Sequence, residues 1–143
     1  MNPSKRQADR FDVTGAILAG GESSRMGRPK HALNFRDGRT MIEAVADALQ
    51  SCCRNVVIVG GSNVAADFKH IADIKPGFGP LAGIEALLAS RFDSHYIVSP
   101  CDVPLIDQRV VGALMSHTEH PITVLQQPGK ETFRLARKYV DEM

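Results

Sequence analysis

The chain has 143 residues, of which 17 are basic and 16 acidic, for a formal charge of +1. A domain of about 150 residues buries roughly 70% of its unfolded surface, so one domain with a real core is expected. The balanced charge argues against nucleic acid or an anionic membrane as a partner. No apolar run approaches the ~20 residues of a membrane helix, and polar Met1 to Asp12 lacks a signal-peptide core, so a soluble, cytoplasmic protein is expected.

Residues 1–11 carry no periodic pattern and read as a flexible leader, with residues 12–143 as the single domain. Thr14 to Leu18 is an apolar run that reads as a buried strand. Leu18-Ala19-Gly20-Gly21-Glu22-Ser23-Ser24-Arg25-Met26-Gly27-Arg28-Pro29-Lys30 follows, with three glycines and three cations. Glycines let the backbone turn with positive φ and bring N–H groups close to an anion, so this stretch suits phosphates. Neither the Gly-x4-Gly-Lys spacing of nucleotide triphosphatases nor Gly-x-Gly-x-x-Gly is present. Thr40-Met41-Ile42-Glu43 has the form of a capping box, and Met41, Ile42, Val45, Ala46 and Leu49 follow at helical spacing, so a helix is predicted over about 40–52. The adjacent Cys52-Cys53 and the third cysteine give neither a disulfide framework nor a zinc spacing, and read as ordinary thiols.

Val56 to Val59, closed by Gly60-Gly61, is the next buried strand. A helix is predicted around Val64 to Lys69, a short strand near His70 to Asp73, and then a Pro/Gly loop. Pro80 suits the entry to a helix over Leu81 to Ser90. Tyr96-Ile97-Val98 reads as a strand, Asp107 as the cap of a helix through about Ser116, and Ile122 to Leu125 as a further strand. His117 and His120, without carboxylate or cysteine company, read as surface residues. Glu131 to Val140 fits either another strand, with Phe133 and Leu135 alternating against Arg134, or a terminal helix.

Repeated β-α alternation of this kind implies a Rossmann-like, three-layer α/β/α sandwich with a mostly parallel sheet. In such a fold the ligand crevice lies at the carboxyl ends of the strands, which is where the glycine and acid blocks fall.

The Leu18 to Lys30 stretch resembles the signature Leu-Ala-Gly-Gly-x-Ser-x-Arg-Met-Gly-x-x-Lys of the molybdenum cofactor guanylyltransferases, the MobA family of molybdopterin-guanine dinucleotide synthases. Gly79-Pro80-Leu81-Ala82-Gly83-Ile84 and Pro100-Cys101-Asp102-Val103-Pro104-Leu105 are similar to the family's other two signatures, in the same order. Cytidylyltransferase relatives usually carry Leu-Ala-Ala-Gly in the first block and lack Gly-Pro-Leu-Ala-Gly in the second, so Gly20 and the Gly79 block favour guanine over cytosine.

The resemblance implies a nucleotide-diphospho-sugar transferase-like fold and a Mg²⁺-dependent enzyme. It would move GMP from GTP to the terminal phosphate of molybdopterin, with pyrophosphate leaving. Leu18, Ala19, Gly20 and Gly21 would wrap the nucleotide, and Lys30 would contact its phosphates. Arg25 would either assist on the β- and γ-phosphates or pin the loop through carbonyl contacts. Asp102 would carry the metal, and Asp73 would contact the nucleotide unless it is a solvated turn residue. Lys30, Arg25 and Asp102 are thus the expected catalytic residues. Where the family often has a polar nucleotide contact at the end of its second strand, this chain has Val59 and Gly60, with Ser62 and Asn63 a little beyond.

Family members are usually longer, and the region beyond the nucleotide half generally supplies the molybdopterin site. A GTP-binding accessory or inactive module is therefore the rival reading. A related nucleotidyltransferase with another nucleotide or acceptor is the third. An exposed sheet edge would invite self-association or an accessory protein partner.

Overall fold

A computed structural model describes residues 10–19, 38–60, 67–72, 80–101, 106–116, 122–127 and 130–136. Strand β1 spans Phe11–Leu18, helix α1 Met41–Cys52, β2 Cys53–Val59, β3 Lys69–Ile71, α2 Pro80–Ser90, β4 His95–Pro100, α3 Gln108–Met115, β5 Ile122–Gln127 and β6 Lys130–Ala136. These strands form one six-stranded sheet in the order β3-β2-β1-β4-β6-β5. β1 lies parallel to both β2 and β4, and β2 parallel to β3, whereas β6 runs antiparallel to both β4 and β5. Among the described strands, then, β6 alone is reversed, and the mostly parallel sheet expected from the sequence is what forms.

Local chemistry accounts for the element ends. Thr40 caps α1: its Oγ1 accepts from the Glu43 amide at 3.3 Å, and the Glu43 carboxylate accepts from the Thr40 amide at 3.1 Å. Two of the orphan amides at a helix start are satisfied reciprocally in this way. At its other end α1 passes into β2 with no intervening residue, the Cys53 amide donating to the Leu49 carbonyl. Asp107 caps α3, accepting from the amides of Arg109 and Val110 at 2.9 and 3.2 Å. α2 ends at Ser90, and Arg91 after it adopts a left-handed φ of 52°, a conformation common just past a helix end.

One expectation is corrected. Asp67 and Phe68 form a turn and bend, and Lys69 already belongs to β3, so the helix expected over Val64 to Lys69 does not include its last three residues. β-pairing of Lys69 with Val57 overrides the weak helical spacing there. Val64 to Ala66, like Asp73 at the end of the expected third strand, lie outside the described residues. Glu131 to Ala136 are strand, which decides against a helix for that part of the alternative.

Because side chains alternate along a strand, the sheet builds two cores. On one face Val13, Ile17 and Ala19 of the β1 segment, Ile58 of β2 and Ile97 of β4 pack with Ile42, Val45, Ala46 and Leu49 of α1 and Val111 and Leu114 of α3. On the other, Ala16, Val57, Val59, Tyr96 and Val98 pack against Ala86 and Leu87 of α2. Helices thus cover both faces, giving the three layers.

Thr14 is the polar residue buried inside β1. Its hydroxyl donates to Asp93 Oδ2 at 2.6 Å, while the Asp93 amide donates to Tyr96 Oη at 2.8 Å. This small network ties the turn after α2 to the amino-terminal halves of β1 and β4, where Thr14 and Tyr96 are register partners.

Gly15 lets α1 sit close on β1, for a Cβ there would lie 3.1 Å from Leu49 Cβ and 3.4 Å from Cys53 Sγ. Gly15→Val is therefore expected to overpack this contact and cost about 1–3 kcal/mol, read as a lowered urea midpoint at unchanged m.

Cys52, Cys53 and Cys101 are buried thiols. Burial raises Cys52, and it pushes Cys53 up to about 12. The folded chain therefore keeps the Cys53 proton after the unfolded chain has lost its own. The stabilisation from this difference is complete below the unfolded thiol value of about 8.5 and is lost as pH rises through the folded one. Unfolding midpoints should fall between about pH 8 and about pH 10, with a shallower decline in Cys53→Ala, as measured by urea titration.

Candidate functional site

The carboxyl ends of four parallel strands lie in one row. Leu18 is the register partner of both Val59 and Pro100, and Val59 is the partner of Ile71. β1 connects onward to β2 on one side of itself and lies beside β4 on the other, so the strand order reverses between β1 and β4. Open α/β sheets bind ligands at such a reversal, because the connections leaving the two strands diverge and leave a crevice. Here the glycine-rich stretch leaves β1 at Leu18 and the Pro100 block leaves β4. Two segments far apart in sequence thus start side by side, at the strand spacing of about 4.8 Å.

The ladder continues past the strand ends. The buried Ala19 donates its amide to the Val59 carbonyl at 2.8 Å, and Gly60 donates its amide to the Ile71 carbonyl at 2.9 Å. Gly60 has a φ of 76°, the left-handed region that favours glycine. His70 Nε2 lies 2.6 Å from the Gly60 carbonyl oxygen. At β4 the buried Ser99 donates its hydroxyl to the Pro100 carbonyl at 3.0 Å, and Cys101 behind it is buried.

α2 contributes the second block. It begins at Pro80 and packs against β1, β2 and β3, following β3 in the chain. Ala82 and Gly83 are buried, whereas Leu81 is 76% exposed. Leu81 therefore takes no part in either core.

Of the residues expected at the site, Leu18 and Ala19 are placed at the end of β1, beside the ends of β2 and β4. Gly20, Gly21, Arg25, Lys30, Asp73 and Asp102 lie outside the described residues; Gly20 directly follows Ala19, and Asp102 directly follows Cys101. Among the described residues no group of three or more His, Cys, Asp or Glu could hold a metal ion. Asp107 is committed elsewhere: the Arg109 side chain, and then the Val110 amide, hold its carboxyl below the usual carboxylate range at the start of α3. None of the described helices is long and apolar enough to cross a membrane.

Two residues of this edge escape sequence reasoning. Gly60 is readable as a strand terminator but not as a bridge between β1 and β3. His70 has no local signal, because its partner is met only when β3 lies beside β2.

Comparison with known proteins gives a consistent picture. A family model described as a MobA-like NTP transferase domain matches residues 15–140. A molybdenum cofactor guanylyltransferase of Desulfosudis oleivorans is 38% identical over 124 residues, 83% of this chain and 60% of that protein. The chain spans between 56% and 62% of the length of this and two further curated relatives. Among solved structures, a homologue of Mycobacterium tuberculosis rv0371c from Mycobacterium sp. strain JC1 superposes with a TM-score of 0.75 at 20% identity, covering 93% of this chain and 74% of that one. Molybdopterin-guanine dinucleotide biosynthesis protein A from Archaeoglobus fulgidus superposes at 0.71 and 22% identity, covering 91% and 70%. At these identities the superpositions establish the shared fold.

Proposed function

Since the chain belongs to the MobA-like NTP transferase family, with residues 15–140 matching the domain, we propose that it transfers GMP from GTP to the terminal phosphate of molybdopterin. Residues 12–143 would act as one domain, in the cytoplasm. The observation that carries this reading is the pairing of Leu18 with Pro100, which starts the glycine-rich and the acid-bearing signature blocks at adjacent strand ends.

In the proposed reaction an ionised phosphate oxygen of the acceptor attacks the α-phosphorus of GTP. A new P–O bond forms as the bond to the bridging oxygen of the β-phosphate breaks, and pyrophosphate leaves with the electron pair. The attacking group is already ionised, so the protein's task is positioning and neutralisation of charge rather than proton removal. The backbone from Leu18 to Gly21 would wrap the nucleotide, with Gly20 leaving room for the purine, while the Ala19 amide stays with the Val59 carbonyl. Lys30 would meet the negative charge that moves onto the leaving group, Arg25 would assist on the outer phosphates, and Asp73 would contact the nucleotide.

Asp102 would hold a magnesium ion. The described residues directly before it, Ser99, Pro100 and Cys101, offer no carboxylate, and among the described residues no group of three or more His, Cys, Asp or Glu could hold a metal ion. That donor set fits magnesium, which is held by one or two carboxylates together with substrate phosphates rather than by an all-protein cage. When bound, the ion would supply charge neutralisation at the phosphates.

The decisive assay is pyrophosphate release from GTP, expected only when molybdopterin is added. GTP binding without release would identify a nucleotide-binding module, and preference for CTP or ATP in parallel titrations would indicate a different nucleotidyltransferase. Lys30→Ala should leave the circular dichroism unchanged and lower turnover about a hundredfold or more, since removing a donor to developing charge costs about 2.7–4 kcal/mol of barrier. Equal turnover would dismiss the assignment. Asp102→Asn should abolish magnesium-dependent transfer, and activity retained at ordinary magnesium would argue against its role.

A further inference from the structure

Val59 and Gly60, the described residues at the end of β2, carry no side chain suited to a polar ligand contact, yet the peptide that joins them is engaged at both of its polar groups. Its carbonyl accepts from Ala19, where the glycine-rich stretch begins, and its N–H donates to the Ile71 carbonyl at the end of β3. The orientation of this one peptide plane therefore fixes the acceptor of the Ala19 amide, the last described residue before the glycine-rich stretch.

The following peptide is held as well. Its carbonyl, that of Gly60, lies 2.6 Å from His70 Nε2. A carbonyl oxygen only accepts, so Nε2 must carry the proton and donate. Gly60 sits at a φ of 76°, and as a glycine it has many other conformations available to it. The imidazole therefore locks a residue whose own backbone does not specify its geometry. His70 is itself held in the sheet as the register partner of Ile58, so the lock is anchored on a strand rather than on a loop.

We propose that His70 is a positioning residue for the nucleotide. By fixing the Gly60 carbonyl it steadies Gly60, and with it the Val59–Gly60 peptide that pairs with Ala19, from which the stretch proposed to bind the nucleotide continues in sequence. This rests on the nucleotide site proposed above. His70 acts on binding through the backbone and touches neither the reacting phosphorus nor the leaving group. Its loss should therefore weaken the nucleotide complex without slowing the bound nucleotide's reaction.

The test titrates wild type, His70→Ala and His70→Gln with GTP by calorimetry, and measures pyrophosphate release and the urea midpoint of each. Glutamine places an amide N–H close to where the imidazole Nε2 lies. His70→Ala is expected to weaken GTP binding and raise KM by about fivefold, the equivalent of one lost hydrogen bond, with kcat little changed, while His70→Gln recovers most of the affinity. Wild-type affinity in His70→Ala, equal weakening in both variants, or a fall in kcat at constant KM would overturn the proposal. So would a lowered urea midpoint with unaltered affinity. Wild type that binds GTP without releasing pyrophosphate would refute the transferase reading alone, because the His70 effect is then still read in the dissociation constants. Wild type that binds no GTP would refute both.

Discussion

The hydrogen-bonding of β1 on both edges, together with its burial on both faces, is the constraint on which the arrangement depends. β2 and β4 pair with it in parallel from either side, and residues 13–17 are buried throughout. A strand so enclosed cannot slip by one residue without turning its whole apolar set to the wrong core. The point at which the chain leaves the sheet is thereby specified to a single residue, Leu18. Everything proposed for the nucleotide follows from that exit point.

The two cores divide this work. The larger one, beneath α1 and α3, fixes β1 from one side through Gly15, where the helix comes so near that no Cβ fits comfortably. The other, beneath α2, holds the partner strands β2 and β4 in step with it. At the amino-terminal end of the strands the buried Thr14 hydroxyl is satisfied by Asp93. A buried polar group left unpaired costs more than an average hydrogen bond contributes, so this network favours the native register specifically. At the carboxyl end, the described polar groups include the backbone, the Ser99 hydroxyl and His70.

Apolar side chains at the described strand ends suit phosphoryl chemistry. In the proposed reaction, cations and amides beside apolar surface would interact with developing charge more strongly than they do in water. The supporting polar contacts lie one step behind the edge, in the Val59–Gly60 peptide and its partners on β1 and β3.

Local signals in the sequence were enough to determine the capped helices, the β-branched strand cores and the alternation that makes the sheet mostly parallel. Caps at Thr40 and Asp107 act within one helical turn, so no distant partner is needed to read them. The three signature blocks were legible for the same reason, as was the family. What the tertiary structure decided is non-local: the strand order, with β6 inserted between β4 and β5, the assignment of Lys69 to β3 rather than to a helix, and the strand state of Glu131 to Ala136. It also decided that His70 meets Gly60. A strand gains its hydrogen bonds only from neighbours, and which neighbours those are is written in the packing of the whole chain rather than in any window of it.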